Sequence, residues 1–95
     1  MRLRWTRLAS QDLDDIAEYI GQDSPAAACR VVLELMERAE SALVAHPAAG
    51  RAGRLLGTRE LVIGSLPYVI AYRVSERQIE ILRVLHTSRR WPSDT

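Results

Sequence analysis

Apolar residues recur along this chain with two different periods. At the start, Leu3 and Trp5 alternate with Arg2 and Arg4, which predicts a short first strand. From Ala9 the period lengthens. Ala9, Leu13, Ile16, Ala17 and Ile20 follow the three- and four-residue steps of one helical face. Thr6 or Ser10 can start this helix, and Gly21 can stop it. Asp12, Asp14, Asp15 and Glu18 are spaced for its solvent face, and the early acids suit the positive end of the helix dipole. Ser24-Pro25 then restarts a helix, with Ser as cap and Pro at the first helical position. This second helix is predicted to run to about Val44–His46. Cys29, Val32, Met36, Ala39 and Leu43 give its apolar stripe, with Arg30–Glu34 and Glu34–Arg38 at ion-pair spacing on the polar side. The short connection between the two predicts an antiparallel helical hairpin.

From Pro47 the helical pattern stops. Gly50, Gly53 and Gly57, with Arg51 and Arg54 among them, read as a loop. Strands are predicted at 59–63, 67–74 and 79–86, joined through Gly64-Ser65-Leu66-Pro67 and Ser75-Glu76-Arg77. The run from Tyr68 to Tyr72 is apolar on both faces, which suits a central strand. The resulting order is β-α-α-β-β-β. It describes an α+β fold, a helical hairpin packed on one face of a small, mainly antiparallel sheet, and residues 1–95 make a single domain.

A chain that is 47% hydrophobic and 26% charged is globular rather than disordered. Its apolar runs fall well short of the roughly 20 residues that span a bilayer. Met1-Arg2-Leu3-Arg4-Trp5 has no long apolar stretch behind it, so no secretory signal and no membrane partner are expected, and the expected location is cytoplasmic. The single cysteine, Cys29, excludes an internal disulfide. No Cys/His cluster suggests zinc, and no metal or cofactor is expected. The net charge of +1 hides an asymmetry. Residues 1–50 hold five arginines against eight acids; residues 51–95 hold eight arginines against four acids. Every basic side chain is Arg, which makes planar, two-point contacts with phosphate and carboxylate.

The chemistry-bearing residues therefore cluster late. Arg83, His86 and Arg89 form one candidate group: a histidine beside arginines can do acid/base work on RNA, or His86 can simply cap the sheet. Arg51, Arg54 and Arg59 form a second, either an anion-contacting patch or a solvated loop. The spacing Gly50-x-x-Gly53-x-x-x-Gly57 lacks the Lys-Ser/Thr of a phosphate-binding loop, so nucleotide hydrolysis is excluded. Arg73 is expected to pair with Glu60 across neighbouring strands, and Tyr68 and Tyr72 are expected in the core with polar tips. Arg89, Arg90 and Trp91 form either a tail anchor or a partner-contacting group.

Two stretches resemble the toxins of the RelE/ParE superfamily. The first runs Asp12-Leu13-x-x-Ile16-x-x-Tyr19-Ile20, Ser24-Pro25-x-Ala27-Ala28 and Leu43-x-x-His46-Pro47-x-x-Gly50-Arg51. The second runs Gly57-Thr58-Arg59-Glu60-Leu61-Val62, Pro67-Tyr68-Val69-Ile70-x-Tyr72-Arg73-Val74 and Ile81-Leu82-Arg83-Val84-Leu85-His86-x-x-Arg89-x-Trp91. The order and spacing of these pieces cover nearly the whole chain. The resemblance implies the toxin of a type II toxin–antitoxin module, with growth inhibition and plasmid stabilization as its expected effects. It implies a cognate antitoxin partner, with a toxin–antitoxin hetero-oligomer as one form. It implies one of two targets: DNA gyrase, as for ParE-like members, or ribosome and mRNA, as for RelE-like endoribonucleases. RelE-like nucleases place an arginine directly after the aromatic that begins the central strand; here that position is Val69. With the run at 81–86 this favours the gyrase-directed expectation. A chain that has lost its poison stays as a third class.

Overall fold

A computed structural model describes residues 1–88, and in it Thr6 turns the first strand into the first helix. Strand β1 (Arg2–Trp5) leads through Thr6 into helix α1 (Arg7–Gly21). The Thr6 hydroxyl accepts from the Ala9 amide at 3.3 Å and donates to the Ile81 carbonyl at 2.7 Å, so one residue caps the helix and ties its start to the sheet. Helix α2 (Pro25–Ala45) begins as the sequence predicts, with Ala27 N–H donating to Ser24 Oγ at 3.1 Å. Strands β2 (Arg51–Ala52), β3 (Arg59–Ile63), β4 (Tyr68–Val74) and β5 (Gln78–His86) follow. The two-residue β2 was not expected. It pairs antiparallel with β3 through Arg51↔Glu60 and Ala52↔Arg59, and glycines on both sides mask it in the sequence.

The sheet order is β1-β5-β4-β3-β2. β1 runs parallel to β5, and the remaining pairs are antiparallel. Strand β4 lies at the centre, with Tyr68 to Ala71 and Tyr72 all buried, as its two-sided apolar pattern requires. Both helices cover one face, where Leu13, Leu35, Ala39 and Leu43 pack with Ile63, Ile70, Tyr72, Ile79 and Ile81.

The stripe predicted for α2 holds at Val32, Ala39 and Leu43 but not at Cys29 and Met36. Ala28, Leu35, Ala39 and Leu43 are buried, while Cys29 and Met36 are exposed. One residue is about 100° around a helix, so Ala28 and Leu35 take the core positions expected of their neighbours Cys29 and Met36. The alanines let the helix approach closely: a Cβ on Gly21 would sit 3.7 Å from that of Ala28. Of the two expected ion pairs on α2, Glu34–Arg38 forms at 3.5 Å, and Ser65 in the β3–β4 turn joins both side chains. No Arg30–Glu34 pair is present among the described residues.

The loop after α2 is fixed by Tyr72, the largest fully buried side chain among the described residues. Its hydroxyl donates to the Pro47 carbonyl at 2.8 Å and accepts from the Gly50 amide at 2.7 Å. Gly50 must be glycine, because a Cβ there would lie 2.7 Å from the Tyr72 ring and 2.8 Å from the Glu60 carbonyl oxygen. Replacing Tyr72 by Phe leaves the buried Gly50 amide and the half-buried Pro47 carbonyl without their partner. The Tyr72→Phe chain should lose about 1–3 kcal/mol of stability. Urea unfolding should show a lower midpoint with an unchanged slope.

Candidate functional site

Register decides which arginines share a face. In the antiparallel pairing of β4 with β5, Ala71 faces Arg83 but Tyr72 faces Ile81, so Leu82 is an extra residue in β5. This bulge reverses the alternation, and Ile81 and Val84 both serve the helix-covered core. On the opposite face the paired residues form rows. Arg4, Glu80 and Arg73 lie side by side on β1, β5 and β4. Arg51, Glu60 and Ala71 form the next row, and Val62, Val69 and Leu85 the third.

Each glutamate on this face is gripped by two arginines. Glu80 bonds to Arg4 and to Arg73, the latter at 2.6 and 3.1 Å. Glu60, with 2% of its surface exposed, takes Arg54 at 3.0 and 3.2 Å, Arg51 at 3.4 Å, and the Arg54 backbone amide at 2.9 Å. The expected Arg73–Glu60 pair is therefore not formed. Register places Glu80 directly beside Arg73, and Glu60 beside Arg51 and under the loop that carries Arg54. The Glu80 grip sets two positive charges against one negative charge. Arg4, Arg73 and Arg51 still keep 53%, 55% and 62% of their side-chain surface exposed, so the face presents guanidinium groups to solvent. Burial opposes ionisation of Glu60, but the Arg54 and Arg51 contacts outweigh it and hold its carboxyl below the ordinary 4.5. The Arg4 and Arg73 hydrogen bonds lower Glu80 in the same way.

Arg59 does not join this array. Its guanidinium donates to the Gly50 carbonyl at 2.9 Å and holds the loop after α2. Arg83 is also committed. It makes a two-point contact with Asp12 at 2.8 and 3.1 Å, and Asp12 also accepts from the Val84 amide at 2.9 Å. Asp12 thus faces the sheet rather than solvent, which corrects its predicted place on the open side of α1. Beyond Trp5, β1 no longer covers the edge of β5, and α1 supplies the missing acceptor from this side chain. The hydrogen bonds to Asp12 raise the Arg83 pKa.

His86 is exposed at the end of β5. Its ring meets the Tyr68 ring edge-on at 5.5 Å, and Nδ1 accepts from the Ser88 amide at 3.2 Å. Arg83 pairs with Ala71 and His86 with Tyr68, positions on opposite faces of β4, and each side chain holds its own partner. A cleft of about 490 Å³ opens beside His86, lined by Asp12, Asp15, Tyr19, Tyr68 and Ser88 among others. Arg89, Arg90 and Trp91 lie outside the described residues. Among the described residues no group of three or more His, Cys, Asp or Glu could hold a metal, and no helix is long and apolar enough to cross a membrane. Asp12, Glu80 and Arg4 were missed as organising residues. The alternation in β1 and β5 was legible, but the parallel pairing that joins them was not.

Residues 3–91 match the family model described as the ParE toxin of the type II toxin–antitoxin system parDE. A Sinorhizobium fredii chain named Y4kP, a toxin candidate, is 50% identical over 91 residues, covering 96% of this chain and 93% of that one. Toxin RelE2 of Caulobacter vibrioides is 44% identical over 85 residues, covering 90% of this chain and 93% of that one. The solved structure of a chromosomal ParDE toxin–antitoxin system from P. aeruginosa superposes with a TM-score of 0.81 at 35% identity, over 90% of this chain and 95% of that chain.

The two gripped glutamates make stability pH-dependent. Their folded pKa values lie below the ordinary 4.5, so their contribution is fully present above about pH 4.5 and is lost as pH falls through the folded values. Urea midpoints measured from pH 7 to pH 3 should decline below that point. Glu60→Gln should cost about 1–2 kcal/mol at pH 7, at the low end because Arg51 and Arg54 are partly solvated, and should make the acid decline shallower.

Proposed function

This chain belongs to the ParE toxin family of type II toxin–antitoxin systems, and we propose that it acts by binding and inhibiting DNA gyrase. The observation that carries this choice over RNA cleavage is the commitment of Arg83. A nuclease reading needs Arg83, His86 and Arg89 around one phosphate, with an arginine to stabilise charge as it develops there. Such a stabilising group is worth roughly 10²–10³ in rate. Here Arg83 is bound at two points to Asp12, and the position after Tyr68 is the buried Val69. The relatives' names, one ParE and one RelE2, do not by themselves separate the two activities.

Neutralisation fits the same surface. The solved relative is a ParDE toxin–antitoxin system, and we assign to this chain a cognate antitoxin that folds on binding. Arg4, Arg51 and Arg73 project from the face that the helices leave uncovered, which favours an acidic segment of that partner. Arg54 bonds Glu60 and so helps hold that carboxylate on the face. Arg59 and Arg83 act on it only through the loop and the strand end they hold.

Expression without its antitoxin should arrest bacterial growth, and co-expression should restore it. Purified protein should block gyrase supercoiling and leave ribosome-bound mRNA whole. Arg89→Ala or Trp91→Ala should weaken the arrest through lost target contacts, whereas His86→Ala should act only through packing. Codon-positioned mRNA cleavage in a translating extract, abolished by His86→Ala in a folded protein, would reverse the choice of target.

A further inference from the structure

The cleft of about 490 Å³ between the C-terminal half of α1 and the end of β5 joins rings with one carboxylate that lacks a cation. Tyr68 is 8% exposed and Tyr19 74% exposed, so one ring forms the floor and the other the rim. Burial, and then the nearby Tyr19, push the Tyr68 phenol above its ordinary 10.0, which keeps that floor neutral. His86 stands edge-on to the Tyr68 ring at 5.5 Å and closes the far side. The two carboxylates differ. Asp12 is committed to Arg83 and to the Val84 amide. Asp15, nearly one helical turn on, takes only the neutral Gln11 amide, at 3.0 Å, among the described residues. No arginine is among the described residues that line the cleft. A surface tyrosine or a surface aspartate alone needs no account. Ring faces beside a carboxylate with a free oxygen match one chemistry, a planar guanidinium that lies on the ring and forks to the acid.

We propose that this cleft takes an arginine side chain of the antitoxin segment, stacked on Tyr19 and Tyr68 and bonded to Asp15. The inference rests on the assignment of the open sheet face to the antitoxin, and it extends that surface. Leu85 is the link: it shares a row with Val62 and Val69 on the open face, and it also lines the cleft. A segment crossing the face therefore meets Arg4 and Arg73 first, then the apolar row, then the cleft. The charge of the surface reverses along that path, which fixes the direction of the segment. Leu85 lies five positions beyond Glu80 on β5, so an extended partner carries its acidic residue and its arginine about five residues apart. A lysine fits less well, because a compact ammonium neither stacks flat on a ring nor bonds at two points.

The test has two arms. In the first, N-acetyl-arginine amide is titrated into the full chain and followed by NMR, beside the lysine analogue and the citrulline analogue, which keeps the shape of arginine without its charge. The arginine probe should move the Asp15, Tyr19 and His86 signals to saturation, the lysine probe should move them less, and the citrulline probe should leave them in place. Equal responses to arginine and citrulline, or to arginine and lysine, overturn the inference. In the second arm, wild type, Asp15→Asn and Tyr19→Leu are titrated with the purified cognate antitoxin, and thermal unfolding checks that each chain is folded. Asp15→Asn should weaken binding about tenfold, the range for one charge-assisted bond, and Tyr19→Leu about threefold to tenfold. Both sites are exposed, so either variant decides the matter if the other is unfolded. Antitoxin binding by a folded Asp15→Asn chain as tight as wild type overturns the inference. A wild type that binds no antitoxin removes the partner reading and this inference together, a result distinct from tight binding by wild type and Asp15→Asn alike.

Discussion

Strand β4 has to bury both of its faces, and it ends that buried run on a tyrosine. The Tyr72 ring fills the core under the helices, so its hydroxyl cannot reach water and must find partners inside. The partners are the Pro47 carbonyl and the Gly50 amide, where the chain leaves α2. One side chain therefore sets the path of the segment that becomes β2 and the turn beyond it. Arg59 reinforces that path by taking the Gly50 carbonyl. This clamp sets where the chain enters β2, and the β2–β3 pairing carries that placement on to Arg51.

Charge on the uncovered face is organised by the same economy of partners. Two carboxylates sit among four arginines, and each is satisfied by bonds from both sides. The carboxylates order the guanidinium groups, and those of Arg4, Arg51 and Arg73 stay more than half exposed. Arginine suits this role because its planar fork can bond a carboxylate along one edge and leave the other edge to solvent. A lysine in the same place would offer a single point charge with no fixed second direction.

Two arginines that look alike in the sequence do different work because of what α1 brings to the sheet. Arg73 stays half exposed beside Glu80, whereas Arg83 is drawn to Asp12 at the uncovered edge of β5. That edge exists because β1 pairs with only the first part of β5. Asp12 closes it by accepting both the Val84 amide and the Arg83 guanidinium. The geometry gives Arg83 a partner in Asp12 that the sequence did not foretell.

The sequence by itself determined the elements. Periods of two and of three to four residues placed β1, α1, α2, β3, β4 and β5, Ser24-Pro25 marked the second helix start, and the two-sided apolar run marked β4 as central. These signals are local: each depends on residues a few positions apart. The resemblance of the ordered motifs also identified the superfamily. What remained hidden was non-local. The bulge at Leu82, the pairing of Arg73 with Glu80 rather than Glu60, and the bond from Asp12 to Arg83 each join segments whose register no spacing states. Within the α2 stripe, Cys29 was chosen over Ala28, which is buried by close approach of the helices and not by its own hydrophobicity. Side-chain partners across a sheet are chosen by register and by which edge another element covers, and only the assembled tertiary structure sets those.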